Sequence, residues 1–408
     1  MNPRIRLLVA FLVSGLICAP FVAASSDGVA IVYSGLTRTR ESTVERVARI
    51  QPGMPVGQVD VDEVRDRLLR SGLFSAVDVL LDTETGVLLI SVEERWTLIP
   101  VPFFSVDSQS VRGGLALLES NLAGTGHAGL FAGFFGTDGY QIVGGFIASS
   151  VGAGGPGLAV FAAAGQSTVE TSDTANETVQ RFDLQRFSFA SRVTLRPNER
   201  LSPVLGATVK REVASPGDSP IGIIPNSIAV IEPAGGLEWE DVRFVSFFNR
   251  GTTARAVYRR GFSLDGGGDY DAASLDAAWT TALADRHRLQ IDYRGLASNA
   301  QGLGVERPTG PGFRVLPSGR VTAGRYSAVG VTAEVPVIAR RWGTVTVAGF
   351  YDGGVLAGGA TGDTGYHGPG GSVALYLARI ALPAVGVTVG YNVDTGFVAG
   401  SALVGFSM

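Results

Sequence analysis

Histidines, cysteines and clustered carboxylates are the side chains from which a metal or nucleophile site is built, and this chain carries few of them at workable spacing. His127, His287 and His367 are its three histidines; they stand in widely separated segments, and no pair has metal-ligand spacing. Cys18 is the only cysteine. It lies in an N-terminal apolar stretch behind bulky Ile17, where a lipoprotein processing site takes a small residue, so the chain beyond that stretch has no thiol for a disulfide, a zinc site or a nucleophile. Asp265, Asp269 and Asp271 gather around Gly266-Gly267-Gly268 without the ligand spacing of a calcium loop, and a flexible hairpin turn is the simpler expectation. No nucleophile elbow or zinc motif is present, and the scattered glycine pairs follow no strand-to-helix boundary, as a phosphate-binding loop requires. No enzymatic activity, metal or cofactor is therefore expected.

The elements that must position any site are legible in the distribution of apolar residues. Apolar types make up 45% of the chain and charged types 17%, with a formal net charge of −4 and a mean hydropathy of +0.25. That balance gives no reason to expect nucleic-acid binding. Beyond the N-terminus no apolar run is long enough for a spanning helix. From Trp96 onward the apolar residues instead alternate: Val385, Val387, Val389, Tyr391 and Val393 share one face, while Ala384, Gly386, Thr388, Gly390 and Asn392 share the other. Leu289, Ile291 and Tyr293 oppose Gln290, Asp292 and Arg294 in the same way, and Val345, Val347 and Tyr351 oppose Thr344, Thr346, Ala348 and Asp352. A soluble sandwich also alternates. Even apolar spread, export and the number of strands favour a transmembrane antiparallel β-barrel of about 16 strands over residues 96–408.

Residues 1–24 read as a signal peptide: Arg4 and Arg6, an apolar run from Leu7 to Ile17, then Val22-Ala23-Ala24 as the cleavage region. The run is too short to cross a bilayer core, which takes ~20 residues. Residues 27–95 read as a small α+β domain in the order strand, helix, helix, strand, strand. Its strands are Val29–Tyr33, Val77–Leu81 and Val87–Val92, and its helices run over Glu41–Ile50 and from Asp60 to Ser71-Gly72.

With Ser71-Gly72-Leu73-Phe74-Ser75-Ala76-Val77 at the exit of the second helix, this order resembles a POTRA domain. The segments Trp96 to Phe104 and Glu119 to Gly126 resemble the first hairpin of the outer-membrane protein 85 superfamily, and Gly312-Phe313-Arg314-Val315-Leu316-Pro317-Ser318-Gly319-Arg320 resembles its long loop, which folds back into the barrel with an arginine–glycine–aromatic tip. Members include outer-membrane assembly barrels, two-partner secretion translocators and the bacterial surface antigen family, and the resemblance covers essentially the whole chain after the signal peptide. Arg314 matches the loop arginine. Val315 and Leu316, beside Phe313, replace the glycine and the aromatic of the tip, which puts its turn geometry in question because valine tolerates positive φ poorly. Five alternating segments follow the loop, the number the superfamily places there. Parity turns Glu334, on the first of them, and Asp352, on the second, into the lumen, and the resemblance implies that these acids hold Arg314; a bidentate arginine–carboxylate contact fixes a loop well. The bland alternative is that both acids merely line a wet lumen. The chain ends Gly405-Phe406-Ser407-Met408, with Phe406 and Met408 on the outward face as a weakened form of the C-terminal barrel signal.

The resemblance implies a cell outer-membrane location, surrounding lipid, a periplasmic POTRA domain that takes unfolded or β-rich client polypeptides by β-augmentation, and insertion of the barrel itself by the outer-membrane assembly machinery. Assisted insertion or translocation of clients is the function it points to. A passive pore or structural surface antigen remains the alternative, and a POTRA domain that only tethers the barrel is equally compatible with the sequence.

Overall fold

The computed structural model describes residues 28–107, 110–148, 155–195, 200–284, 286–359, 362–377 and 383–404. The expected signal peptide and the C-terminal Phe406 and Met408 lie outside these residues. The chain divides into two compact units, one ending at Arg95 and one beginning at Trp96.

The first unit runs β1 (Ala30–Ser34), α1 (Glu41–Ala48), α2 (Val61–Arg70), β2 (Phe74–Asp82) and β3 (Val87–Glu94). Its sheet order is β1-β3-β2, with β1 parallel and β2 antiparallel to the central strand. Val44 and Ala48 on α1, and Val64 and Leu68 on α2, stand four residues apart and so share a helix face. They bury against Phe74, Val79, Leu88 and Ile90 of the sheet. Asp60 caps α2 by accepting the Glu63 N–H at 3.0 Å. Helix α1 ends short of the expected Ile50 because Arg49 takes the left-handed conformation, φ 57°, and its N–H turns back to the Glu45 carbonyl.

Glu94, at the end of β3, ties down the connection between β1 and α1. Its carboxylate accepts the Thr37 hydroxyl at 2.7 Å and the Arg38 and Thr39 N–H groups at 3.0 and 2.7 Å. Partial burial opposes the charge, but the hydrogen bonds from Thr37 and Thr39 outweigh it and lower the Glu94 carboxyl to about 2.

The second unit is a closed antiparallel barrel of sixteen strands. They are β4 (Leu98–Asp107), β5 (Val111–Glu119), β6 (Ala128–Gly136), β7 (Gly139–Ala148), β8 (Gly157–Ser172), β9 (Thr178–Thr194), β10 (Leu201–Ser215), β11 (Ile228–Val245), β12 (Phe248–Ser263), β13 (Tyr270–Ala284), β14 (His287–Ser298), β15 (Arg325–Arg340), β16 (Gly343–Ala357), β17 (Thr364–Leu377), β18 (Pro383–Tyr391) and β19 (Val398–Val404). No helix among the described residues is long and apolar enough to cross a membrane; the apolar surface belongs to the strands. Val329, Val331 and Val335 of β15 and Val385, Val387 and Val389 of β18 are exposed on the outside, while Ala328, Thr332, Glu334, Phe350 and Asp352 are buried inside. One end of the barrel carries tight connections such as 246–247 and 341–342; the other carries the longer 216–227, 299–324 and 392–397. Exposed Trp239, Trp279 and Trp342 cluster toward the tight-turn end and exposed Tyr140, Tyr258 and Tyr391 toward the long-loop end, the two aromatic girdles of a membrane barrel.

The barrel closes between β19 and β4, which pair from Ser401↔Asp107 to Val404↔Phe104 among the described residues.

The Glu94 anchor makes a pH-dependent prediction. The unfolded glutamate titrates at ~4.3, so a carboxyl held at about 2 in the fold stabilises the domain fully above the unfolded value and loses that contribution as pH falls through about 2. Urea unfolding of the first domain is expected to show Glu94→Gln less stable than wild type at pH 7, with the gap closing toward pH 2. A gap independent of pH would assign Glu94 a purely steric role.

Candidate functional site

The connection between β14 and β15, residues 299–324, is the longest in the barrel and folds into the lumen. Glycines set its path: Gly310, Gly312 and Gly319 have φ of 86°, 89° and 65°, values that side-chain-bearing residues rarely take. The Phe313 N–H bonds the Gly310 carbonyl at 2.9 Å and the Leu316 N–H bonds the Phe313 carbonyl at 3.0 Å. Arg314 and Val315 thus occupy the centre of a tight turn without positive φ, and the valine and leucine of the tip fit it. Phe313, Val315 and Leu316 are all buried. They pack as an apolar knob on the lumen wall, with the Phe313 ring edge-on to Tyr326 at 5.2 Å.

Arg314 ends on β16. Asp352 accepts its Nε at 3.0 Å, its Nη2 at 2.6 Å and its backbone N–H at 2.8 Å. One carboxylate therefore grips both the guanidinium fork and the main chain of the turn. The guanidinium carbon also lies 3.8 Å from the ring centroid of Phe350, two residues before Asp352 and hence on the same face of the strand. The Tyr366 hydroxyl donates to the Gly312 carbonyl at 2.8 Å. Asp352 is fully buried, so its charge depends on these donors.

The wall is bare where the loop lies against it. A Cβ at Gly330 would stand 2.8 Å from Asp352 Oδ1 and 2.8 Å from the Gly312 nitrogen, and one at Gly390 would stand 2.4 Å from the Arg314 carbonyl oxygen. Both clashes involve groups with no freedom to move aside.

Glu334 does not hold Arg314. It ion-pairs with Arg288 of β14 and accepts the Thr346 and Tyr376 hydroxyls. Register gives the reason: Asp352 stands opposite Gly330, and Glu334 opposite Ala348. Four residues along a strand separate the two acids' positions on the wall by ~13 Å. The resemblance that assigned both acids to one arginine is corrected to one lock, Arg314–Asp352, and a separate clamp, Arg288–Glu334, nearer the tight-turn end. Phe247 and Phe248, from the tight turn between β11 and β12, pack with Tyr376 beside that clamp.

Farther along the loop, Arg320 ion-pairs with Glu170 of β8 and donates to Asn176 Oδ1 at 3.0 Å. Its carbonyl accepts the Ser172 N–H at 3.1 Å. Glu306 pairs with Arg259 of β12, and Arg294 of β14 donates to the Thr309 carbonyl at 2.5 Å. The loop thus reaches from β8 across to β16, β17 and β18. Sequence reading found Arg314 and Asp352. It missed Phe350, although Phe350 shares the lumen parity of Asp352, and it missed Arg320–Glu170, whose partners nothing local connects. Among the described residues no cluster of histidine, cysteine or carboxylate side chains could hold a metal; the Asp265 carboxylate is spent on the Ser263 hydroxyl and the Ala229 N–H of its own turn region.

This architecture is that of solved outer-membrane barrels. BamA from Haemophilus ducreyi lacking POTRA domains 1–3 superposes with a TM-score of 0.65 at 14% identity, over 92% of this chain and 83% of that one. CdiB from Escherichia coli gives 0.63 at 14% identity over 92% and 76%, and CdiB from Acinetobacter baumannii 0.59 at 10% over 93% and 74%. No protein-family model and no curated relative matches by sequence. The fold is therefore a sixteen-stranded barrel with a small N-terminal sheet-and-helix unit, similar to the BamA and CdiB structures.

Removing Asp352 leaves the guanidinium without its carboxylate, a loss worth ~3 kcal/mol or more for a buried pair. Asp352→Asn is expected to free the loop, so that trypsin cleaves the folded barrel at Arg314, where wild type resists. Arg288→Ala is expected to lower the unfolding temperature of the wall while leaving loop protection intact. Equal protease sensitivity in both variants would mean that the two ion pairs form one unit after all.

Proposed function

We propose that this protein assists client polypeptides to insert into or cross the outer membrane, with its N-terminal domain in the periplasm. The observation that carries the reading is a closed sixteen-stranded barrel like those of BamA and CdiB with a long loop anchored in its lumen by Arg314 on Asp352. A wall that parts at its closing joint offers strand edges, and an edge is a template for another strand.

The N-terminal domain has the same property. β2 pairs with β3 alone among the described residues, so its other edge can take an extended segment by β-augmentation. The chain leaves that domain and starts β4 at the tight-turn end, which in outer-membrane barrels faces the periplasm. Folding of the client supplies the free energy, and no catalytic group, cofactor or nucleotide is part of the scheme. The loop seat disfavours a passive pore, since residues from β8 to β18 hold it across the lumen.

Two experiments test this. Ser105 and Leu403 pair across the joint, so Ser105→Cys with Leu403→Cys is expected to form a disulfide that blocks the joint. Cells carrying only the oxidised form are expected to lose client proteins from their outer-membrane and exported fractions, and reduction is expected to restore them; unchanged fractions would overturn the reading. In planar bilayers, wild type is expected to give small, flickering conductance that Arg314→Ala enlarges. A wide, steady pore indifferent to that substitution would put the passive channel first.

A further inference from the structure

The outward face of the barrel carries a groove at its long-loop end, bordered by Asn299, Gln301 and Gly324 at the two ends of the lumen loop. Strand register builds it. Tyr258 pairs with Ala273, Ala273 with Ala297, Ala297 with Arg325 and Arg325 with Ala357, one continuous row across five strands from β12 to β16. The next row toward the membrane centre includes Gly295 and Ser327, bounded by Leu275 and Val355. Where the rest of the wall projects valine, leucine and aromatic side chains, this stretch is lined by small residues, and the hollow over the Ala273–Ala297 row, which continues to Gly324 and Gly358 at the rim, measures about 660 Å³.

Its walls differ in chemistry. On one side Tyr258 rises and donates its hydroxyl to Asp271, and Arg260, 3.9 Å from Asp269, lies 5.2 Å from the Phe262 ring centroid. Asp269 is thus paired with a cation, while Asp271 keeps its charge on the wall opposite Arg325. On the other side stands exposed Arg325, whose side chain has no ion pair or hydrogen bond among the described residues. Three strand spacings, ~14 Å, separate the two walls, a width that seats acyl chains on the Ala273–Ala297 floor. From below, the Tyr293 side chain lies over Gly295, its hydroxyl oxygen 2.8 Å from where a Cβ there would be, and so brings a polar tip to the groove floor.

An apolar floor beside an uncompensated guanidinium is the complement of an amphiphile with an anionic head. We propose that this groove seats a phosphorylated, multiply acylated glycolipid of the outer leaflet, with acyl chains on the Ala273–Ala297 floor and a phosphate at Arg325. Arginine and phosphate match in geometry as well as in charge. The inference rests on the long-loop end facing outward, and it is independent of client handling.

The test is lipid retention by the full-length barrel in phosphatidylcholine nanodiscs doped with bis-phosphorylated lipid A, read by native mass spectrometry. Wild type is expected to hold the lipid, and Arg325→Gln to hold it roughly tenfold less, the scale of one charge-assisted contact. Ala297→Leu, which fills the floor but keeps the charge, is expected to lose it as well. Arg211→Gln removes an exposed arginine on β10, outside the groove, and is expected to behave as wild type. Retention unchanged in Arg325→Gln, equal retention of dephosphorylated lipid A, equal retention of phosphatidylglycerol, or equal loss in Arg211→Gln would each overturn the proposal. A barrel that retains the lipid yet handles no client would leave this site standing and remove only the function proposed above.

Discussion

In hydrocarbon a backbone N–H or C=O has no water to turn to, so every strand of a membrane barrel must find both neighbours within the protein. The rest of this structure follows from that constraint. It forces sixteen strands to close on themselves and fixes alternate residues as outside or inside. The ring closes where β19 meets β4, with Ser401 opposite Asp107 and Val404 opposite Phe104.

Closure also creates an interior whose charges must be matched without much help from bulk water. The wall meets this in two ways. Where two wall residues lie in reach of each other, as Arg288 and Glu334 do on paired strands, the match is local. Asp352 stands opposite a glycine and has no such neighbour on the facing strand; its match comes from the loop. That dependence runs both ways. The Gly312-Phe313-Arg314 turn has little regular structure of its own, and the carboxylate that binds its main chain and side chain together is what gives it a place. Gly330 and Gly390 act by omission, leaving the backbone surface on which the turn rests.

Parity made much of this legible in the sequence. A period of two assigned Val329, Val331 and Val335 to the outside and Glu334 and Asp352 to the inside without any knowledge of the fold. The helical spacing of Val44 with Ala48 and of Val64 with Leu68 did the same for the N-terminal domain. What parity cannot supply is register. Two inward acids on adjacent strands look equivalent until the strands are aligned, and a shift of four residues decides that one meets Arg314 and the other Arg288. Long-range pairs such as Arg320 with Glu170, brought together by a loop crossing the lumen, leave no local pattern at all. The tip shows the opposite case: Val315 is a poor residue for a left-handed turn, and the chain folds the tip as a turn that needs no left-handed residue there.

The two features on which the functional reading rests are not independent in space. Gly390, which bears the carbonyl of Arg314, belongs to β18; β18 pairs with β19, and β19 forms the closing joint. On the loop side of the same hairpin, the Thr395 hydroxyl donates at 3.1 Å to the Thr174 carbonyl in the connection between β8 and β9, close to the Asn176 contact of Arg320. The last hairpin is therefore held from inside by the lumen loop and from across the barrel by a loop-to-loop contact. Loosening the Arg314 seat removes support from the hairpin that carries the closing strand, so in the reading proposed above a client that displaces the loop and a client that opens the wall act on one hairpin.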